Sequence, residues 1–76
     1  MKEYEIVHEI FNSCSGNQMR DVYITEELVD DPEAYLKRKF AGDPDFSYEI
    51  NRQDDTCIIF DVLSSGLRQR FGFTLL

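Results

Sequence analysis

A cysteine and an arginine lie six positions apart in the segment Cys14–Arg20, which reads Cys-Ser-Gly-Asn-Gln-Met-Arg. Backbone N–H groups between two such residues can converge on an oxyanion as a nest, and an arginine fork adds bidentate positive charge. Positive potential also lowers the pKa of a nearby thiol and favours a nucleophilic thiolate. Gly16 allows the left-handed backbone that such a cradle needs. The segment predicts a small-anion site, with Cys14 and Arg20 as candidate catalytic residues.

The pattern Cys-x-Gly-Asn-x-x-Arg resembles the phosphate loop of the low-molecular-weight tyrosine phosphatases and the related arsenate reductases. The resemblance implies that Cys14 is the nucleophile, that Arg20 binds the oxyanion and that Asn17 braces the loop. It also implies a general acid of the Asp-Pro type, which Asp43 and Pro44 match.

The resemblance is confined to seven of the 76 residues. Where the family has a serine after its arginine, this chain has Asp21, whose negative charge opposes a thiolate. The family also needs a helix at this point and a chain of roughly twice this length, whereas residues 22–25 (Val-Tyr-Ile-Thr) favour a strand. Membership of that fold is therefore excluded. Two interpretations stay open: an anion-binding or reactive-thiol loop, and a plain hairpin loop over residues 12–17 with Arg20 paired to a carboxylate.

Other polar side chains have simpler interpretations. His8 alternates with apolar residues, which predicts a satisfied core or edge histidine, and no spacing in the chain favours a metal site. Cys57 is expected to be a small apolar filler in a buried strand. Asp61 interrupts an apolar strand and needs a partner such as Arg68 or Arg70 if it is buried. Both arginines are otherwise expected on the wet side of the last strand, where they are candidates for binding a single anion.

Composition limits the function classes. The 76 residues fit one domain, residues 1–76, and 42% of them are hydrophobic, enough for a core. A net charge of −7 predicts repulsion from phosphate backbones, so nucleic acid is not an expected partner. No apolar run is long enough for a membrane span, and the acidic start lacks a signal-peptide core. We therefore expect a cytoplasmic protein with no cofactor and no membrane partner.

One helix is marked at both of its ends. Asp31 is a candidate N-cap and Pro32 suits the first helical position. Basic residues 37–39 complement the C-terminal dipole. Gly42 is expected to take the left-handed conformation that ends the helix, and Pro44 blocks a restart. These signals predict a helix of about three turns.

The remaining segments alternate with the period of strands. The predicted strands are Glu3–Phe11, Met19–Thr25, Phe46–Asn51, Thr56–Leu63 and, less regular, Leu67–Leu76, whose first four residues could instead form a helical turn. Residues 26–31 are expected to be an acidic connection into the helix. Because Thr56–Leu63 is apolar on both faces, it is expected to be the central strand. The fold class is α+β: a ββαββ(β) two-layer sandwich, with one short helix on a mainly antiparallel four- or five-stranded sheet.

A single short helix covers one face of such a sheet. The other face is expected to carry some of Val7, Phe11, Ile58, Phe60 and Val62, according to register. Large apolar patches are rarely left in water. Since no complete catalytic constellation is present, the sequence favours a small interaction or regulatory protein over an enzyme. Its expected partner is a protein, either a second copy or a larger chain, and the alternative is thiol or oxyanion chemistry at residues 14–20.

Overall fold

A computed structural model describes the backbone of residues 1–14 and 17–76, and the side chains of residues 1–11 and 21–76. It contains five strands and one helix: β1 Lys2–Cys14, β2 Asn17–Val29, α1 Pro32–Lys39, β3 Ser47–Gln53, β4 Cys57–Ser64 and β5 Leu67–Leu75. All strand pairs are antiparallel, and the sheet order is β2-β1-β5-β4-β3. The α+β class and the antiparallel sheet with one short helix are confirmed, and the optional fifth strand is present.

The start of the helix is the one that the sequence predicts. Asp31 is the N-cap, with φ −148° and ψ 120°, and its carboxylate accepts from the N–H of Glu33 at 3.3 Å. Pro32 follows at the first position, where no N–H partner is lost. The N–H of Tyr35 then closes the first helical turn on the carbonyl of Asp31 at 2.9 Å.

The predicted end of the helix is wrong. The helix has eight residues and ends at Lys39, with Phe40 as the C-cap at φ −109° and ψ 21°. The only glycine with positive φ among the described residues is Gly66, so Gly42 does not take the expected left-handed conformation. The last turn tightens instead, because the N–H of Ala41 donates to the carbonyl of Arg38, only three residues back.

The core lies between α1 and one face of the sheet. The buried hydrophobic residues of this core are Ile6, Val29, Leu36, Phe60, Val62, Phe71 and Phe73. Leu36 has no exposed surface, and the ring of Tyr35 meets Phe73 edge-on with centroids 5.5 Å apart. Phe40 meets Phe71 in the same way at 5.8 Å. Aromatic pairs prefer this edge-to-face geometry, which fixes the position of the helix over β5.

Register assigns each strand residue to a face. Ile6 pairs with Phe73, and Phe73 pairs with Ile58, so all three lie on the helix side. Phe60 and Val62 share that side and are buried, so three of the five candidates for the other face, Ile58, Phe60 and Val62, lie on the helix side instead. Val7 and Phe11 alternate with Ile6 and do lie on the opposite face, as expected.

The central strand is β5, and β4 lies second from the edge. The prediction that β4 is the central strand, based on its two apolar faces, is therefore wrong. Ile59 and Leu63 lie on the face away from the helix, where Leu63 is 44% exposed. Apolar residues on that face therefore do not indicate burial. Cys57 shares the same face and is only half-buried, which corrects its assignment as a core filler.

The first two strands are longer than expected, with thirteen residues each. Residues 26–29 belong to β2 rather than to a connection, because pairing with β1 continues to Lys2 opposite Val29. Val29 is 1% exposed, so the end of the strand is held in the core. At the other end the pairing continues to Cys14 opposite Asn17, beyond the predicted strand ends.

The β4–β5 connection is a two-residue turn. Ser64 pairs with Leu67, and the two residues between them, Ser65 and Gly66, have φ of 52° and 78°. Positive φ at both positions is what a type I′ hairpin turn requires. The strand β5 begins at Leu67, so the alternative helical turn over residues 67–70 is wrong.

The helix depends on Leu36 for its attachment, so Leu36→Ala tests this packing. We expect a loss of about 2–5 kcal/mol in the free energy of unfolding, because a fully buried leucine leaves a cavity. Urea unfolding monitored by circular dichroism measures the loss. The neighbouring variant Lys37→Ala is the control and should change stability by less than about 0.5 kcal/mol. Equal stabilities of the two variants would contradict the packing.

Candidate functional site

The side chains of Cys14, Asn17 and Arg20 lie outside the described residues, as does the backbone of Gly16. The backbone pairs Cys14 with Asn17 and Phe11 with Arg20 across the first hairpin. Whether this hairpin binds an anion or activates a thiol stays a prediction.

The other two candidate binding residues lie on β5, on the face away from the helix. The Nε of Arg70 donates to Oδ1 of Asp61 at 2.9 Å, and the guanidinium carbon of Arg70 stands 5.8 Å from the ring centre of Phe11. The amide of Asn51 donates to the second oxygen of Asp61 at 2.8 Å. The expected pairing of Asp61 with an arginine is confirmed. Arg68 follows on the same face and is exposed.

These partners favour the ionised form of Asp61. Partial burial raises its pKa, but the hydrogen bonds from Arg70 and Asn51 outweigh burial and lower the pKa below the ordinary aspartate value. The charge of Arg68 acts in the same direction. The guanidinium of Arg70 is thus paired with a carboxylate of the same chain. The positive charge that this strand can offer to a ligand is mainly that of Arg68.

A second polar pair lies on the helix side of the sheet. His8 stacks on Phe71 with ring centres 4.0 Å apart, and its Nε2 donates to Oε1 of Gln69 at 2.6 Å. Gln69 is 8% exposed and lies on the helix side of β5 with Phe71, whereas Arg68 and Arg70 lie on the opposite face. The expectation of a satisfied histidine at position 8 is confirmed. The sequence signal for this pair is Gln69, the one amide residue at the alternate positions of β5 that otherwise hold Leu67, Phe71, Phe73 and Leu75.

The face of the sheet away from the helix has no helix packed on it in the described part of the chain. We call it the open face. One row of residues crosses four strands on it, in the order Ile24, Val7, Gly72 and Ile59. Ile24 is 64% exposed, whereas Val7 and Ile59 are half-buried by their neighbours. The one helix among the described residues packs on the opposite face.

Gly72 makes a notch in this row. A Cβ placed there would find only Ile59 Cγ1 and the carbonyl of Val7, each at 4.0 Å, which is ordinary van der Waals contact. In this row Gly72, which has no side chain, therefore lies between the apolar side chains of Val7 and Ile59. Such a depression can accept one apolar side chain of a partner, as in the buried centres of protein interfaces.

Charges surround the row unevenly. Glu5 and Glu26 pair across β1 and β2 on one side of it, and Glu3 follows further along β1. Arg68 and Arg70 of β5 lie at the opposite end. Arg52 of β3 lies opposite Ile59 at the edge of the row and is paired with Asp54. The face thus has an acidic end and a mixed end with an apolar middle.

Other classes of site find no support in the geometry. Among the described residues no group of three or more His, Cys, Asp or Glu is placed to hold a metal ion. Within the same residues, no helix is long and apolar enough to cross a membrane. Comparison with models of known protein families found no match, and comparisons with curated proteins and with solved structures found none either.

The state of His8 predicts a pH dependence of stability. Burial lowers the pKa of His8, the hydrogen bond to Gln69 opposes that shift, and the charge of Lys39 adds to it. The unfolded chain therefore binds the proton more readily, so the stabilisation is complete above about pH 6.5 and is lost as the pH falls below it. We expect the unfolding free energy of the wild type to decline between about pH 6.5 and pH 5.

The variant His8→Gln keeps a donor for Gln69 and cannot be protonated. Its unfolding free energy should stay nearly flat over the same pH range, before the carboxylates titrate. Chemical denaturation at a series of pH values measures both proteins. The same slope in the wild type and the variant would contradict a histidine held neutral in the fold.

Proposed function

We propose that this protein is a small cytoplasmic protein-interaction or regulatory domain that acts through its sheet surface, as a homodimer or on a larger protein partner. We also infer that helix and sheet form a two-layer sandwich, whose second sheet face is left for that partner. The observation that carries the proposal is the apolar row with its notch at Gly72, which no helix of the described chain covers.

The chemistry of the partner follows from the charges around the row. Carboxylates of Glu3, Glu5 and Glu26 at one end favour a partner with lysine or arginine beside its apolar contact, since complementary charges steer association. The net charge of −7 acts in the same direction. A second copy fits this face only if its basic end meets the acidic end of the first.

The size of the face favours a reversible complex. Four strands about 4.8 Å apart and about seven residues of length offer roughly 400–500 Å² in plan. A standard interface buries about 800 Å² on each partner. An interaction of this size suits a regulatory contact that forms and dissociates, unless the first hairpin adds to it.

The direct test uses a photoreactive amino acid at position 59 in the cells that make the protein. Crosslinking from Ile59 should give one discrete product, either with a second copy or with another protein identified by mass spectrometry. The same amino acid at the exposed Lys37 on the helix is the control and should give no such product. The absence of a product from position 59, or identical products from both positions, would contradict the proposal.

A variant of Gly72 distinguishes the loss of partner binding at the notch from a loss of protein stability. Gly72→Val adds a side chain that the neighbours tolerate and that favours strand structure, so stability should be kept or raised. It also fills the notch, so the crosslink from position 59 should fall at least several-fold. Thr74→Val, on the same face of β5 but outside the row, should leave the crosslink unchanged.

A further inference from the structure

The strand β2 forms one edge of the sheet, and its exposed apolar residues Val22, Tyr23 and Ile24 lie between the charged residues Asp21 and Glu26. Every residue from 21 to 28 is exposed. Of the eight large hydrophobic residues exposed among the described side chains, four lie on this strand: Val22, Tyr23, Ile24 and Leu28. A long apolar edge strand is a template for pairing with another strand, and proteins normally block it with charge, proline or a covering segment. The strand β2 is therefore a surface that can pair with a strand of another chain.

The backbone groups that face outward can be identified. The N–H of Leu76 donates to the carbonyl of Glu3, so odd-numbered residues of β1 bond toward β5. Even-numbered residues of β1 then bond toward β2, where their register partners are odd-numbered. The even-numbered residues of β2, among them Val22, Ile24 and Glu26, therefore direct their backbone N–H and carbonyl groups out of the sheet.

We propose that β2 pairs with β2 of a second copy of this chain, antiparallel and about a two-fold axis at Tyr23, to make one ten-stranded sheet. This register sets Tyr23 opposite its own copy and Val22 opposite Ile24 of the partner. It also sets Arg20 of each chain opposite Glu26 of the other, so this pair occurs twice, once on each side of the axis. Val22, Tyr23 and Ile24 thus meet one another, and the oppositely charged residue types at positions 20 and 26 occupy facing positions of the ladder.

Neighbouring registers lack this self-complementarity. An axis at Ile24 sets Asp21 opposite Glu27, two like charges. An axis at Thr25 sets Ile24 opposite Glu26 and Tyr23 opposite Glu27. An axis at Val22 sets Tyr23 opposite Asp21. Directly opposite residues of an antiparallel pair share a face, so the two-fold axis also places both helices on one side and makes the two open faces continuous.

The edge shares Ile24 and Glu26 with the open face but lies at the far side of the sheet from Ile59. Crosslinking from position 59 tests the notch of the open face, whereas restoration by mixed charge reversal and the disulfide pairs below test the register of the edge. Failure of one therefore leaves the other standing.

Charge reversal tests the register. At high protein concentration and physiological salt, light scattering after size exclusion should show a wild-type dimer. Arg20→Glu alone and Glu26→Lys alone should each be at least tenfold weaker dimers, because like charges then face each other twice. An equimolar mixture of the two variants should restore the dimer, since both facing pairs become attractive. A monomeric wild type, or a mixture no stronger than its components, would overturn the proposal.

Disulfide trapping locates the axis. In a Cys14→Ser/Cys57→Ser background, Tyr23→Cys should form an intermolecular disulfide with itself, because residues on the axis have Cα atoms about 4.5–5.5 Å apart. Thr25→Cys should crosslink efficiently only when mixed with Asp21→Cys. Circular dichroism confirms that each exposed-position variant folds. Equal crosslinking of Thr25→Cys with itself would place the axis elsewhere and overturn the register.

Discussion

The contact of α1 with one face of the sheet organises the whole molecule. Leu36 is fully buried, and edge-to-face rings from the helix fix it over β5. Eight residues of helix are about 12 Å long, whereas five strands span about 20 Å. The helix therefore covers the centre of one face only. On its own side of the sheet, Tyr23 and Ile50 near the edges remain 54% and 45% exposed.

This constraint explains where polar groups can lie. On the covered face, His8 and Gln69 satisfy each other beside the aromatic core. On the open face, Asp61 is held by Arg70 and Asn51. No buried side-chain nitrogen or oxygen lacks a hydrogen-bond partner in the described part of the chain. Exposed apolar side chains, in contrast, have no such partners within the described chain, and they concentrate on the open face and on β2. These two surfaces meet at Val22 and Ile24.

The sequence predicted features that depend on local chemistry. Asp31 and Pro32 mark the helix start because capping and the missing proline N–H are local effects, and alternation in β1 assigned Ile6 and Val7 to opposite faces correctly. Features that depend on tertiary pairing were missed. The position of β4 in the sheet order cannot be predicted from its two apolar faces, because a face with no helix on it can also carry apolar residues, as Ile59 and Leu63 show. The length of β2 depends on Val29 being held in the core.

The candidate site shows the same division. The pairing of Asp61 with an arginine was predictable because a carboxylate in an otherwise apolar strand favours a cationic partner, although the side chain of Asp61 is 42% exposed rather than buried. The pairing of Gln69 with His8 requires the β1–β5 register, which no local pattern of residues 67–75 contains. The notch at Gly72 is likewise visible only when Val7 and Ile59 are placed on either side of it.

The central claim is that one sheet face is covered by α1 and the other is open. Methyl-resolved NMR with a soluble paramagnetic probe measures this most directly. The methyl signals of Val7, Ile24 and Ile59 should broaden strongly, whereas those of Ile6, Leu36 and Val62 should be protected. Protection of both sets, or stronger broadening of the second set, would contradict the account.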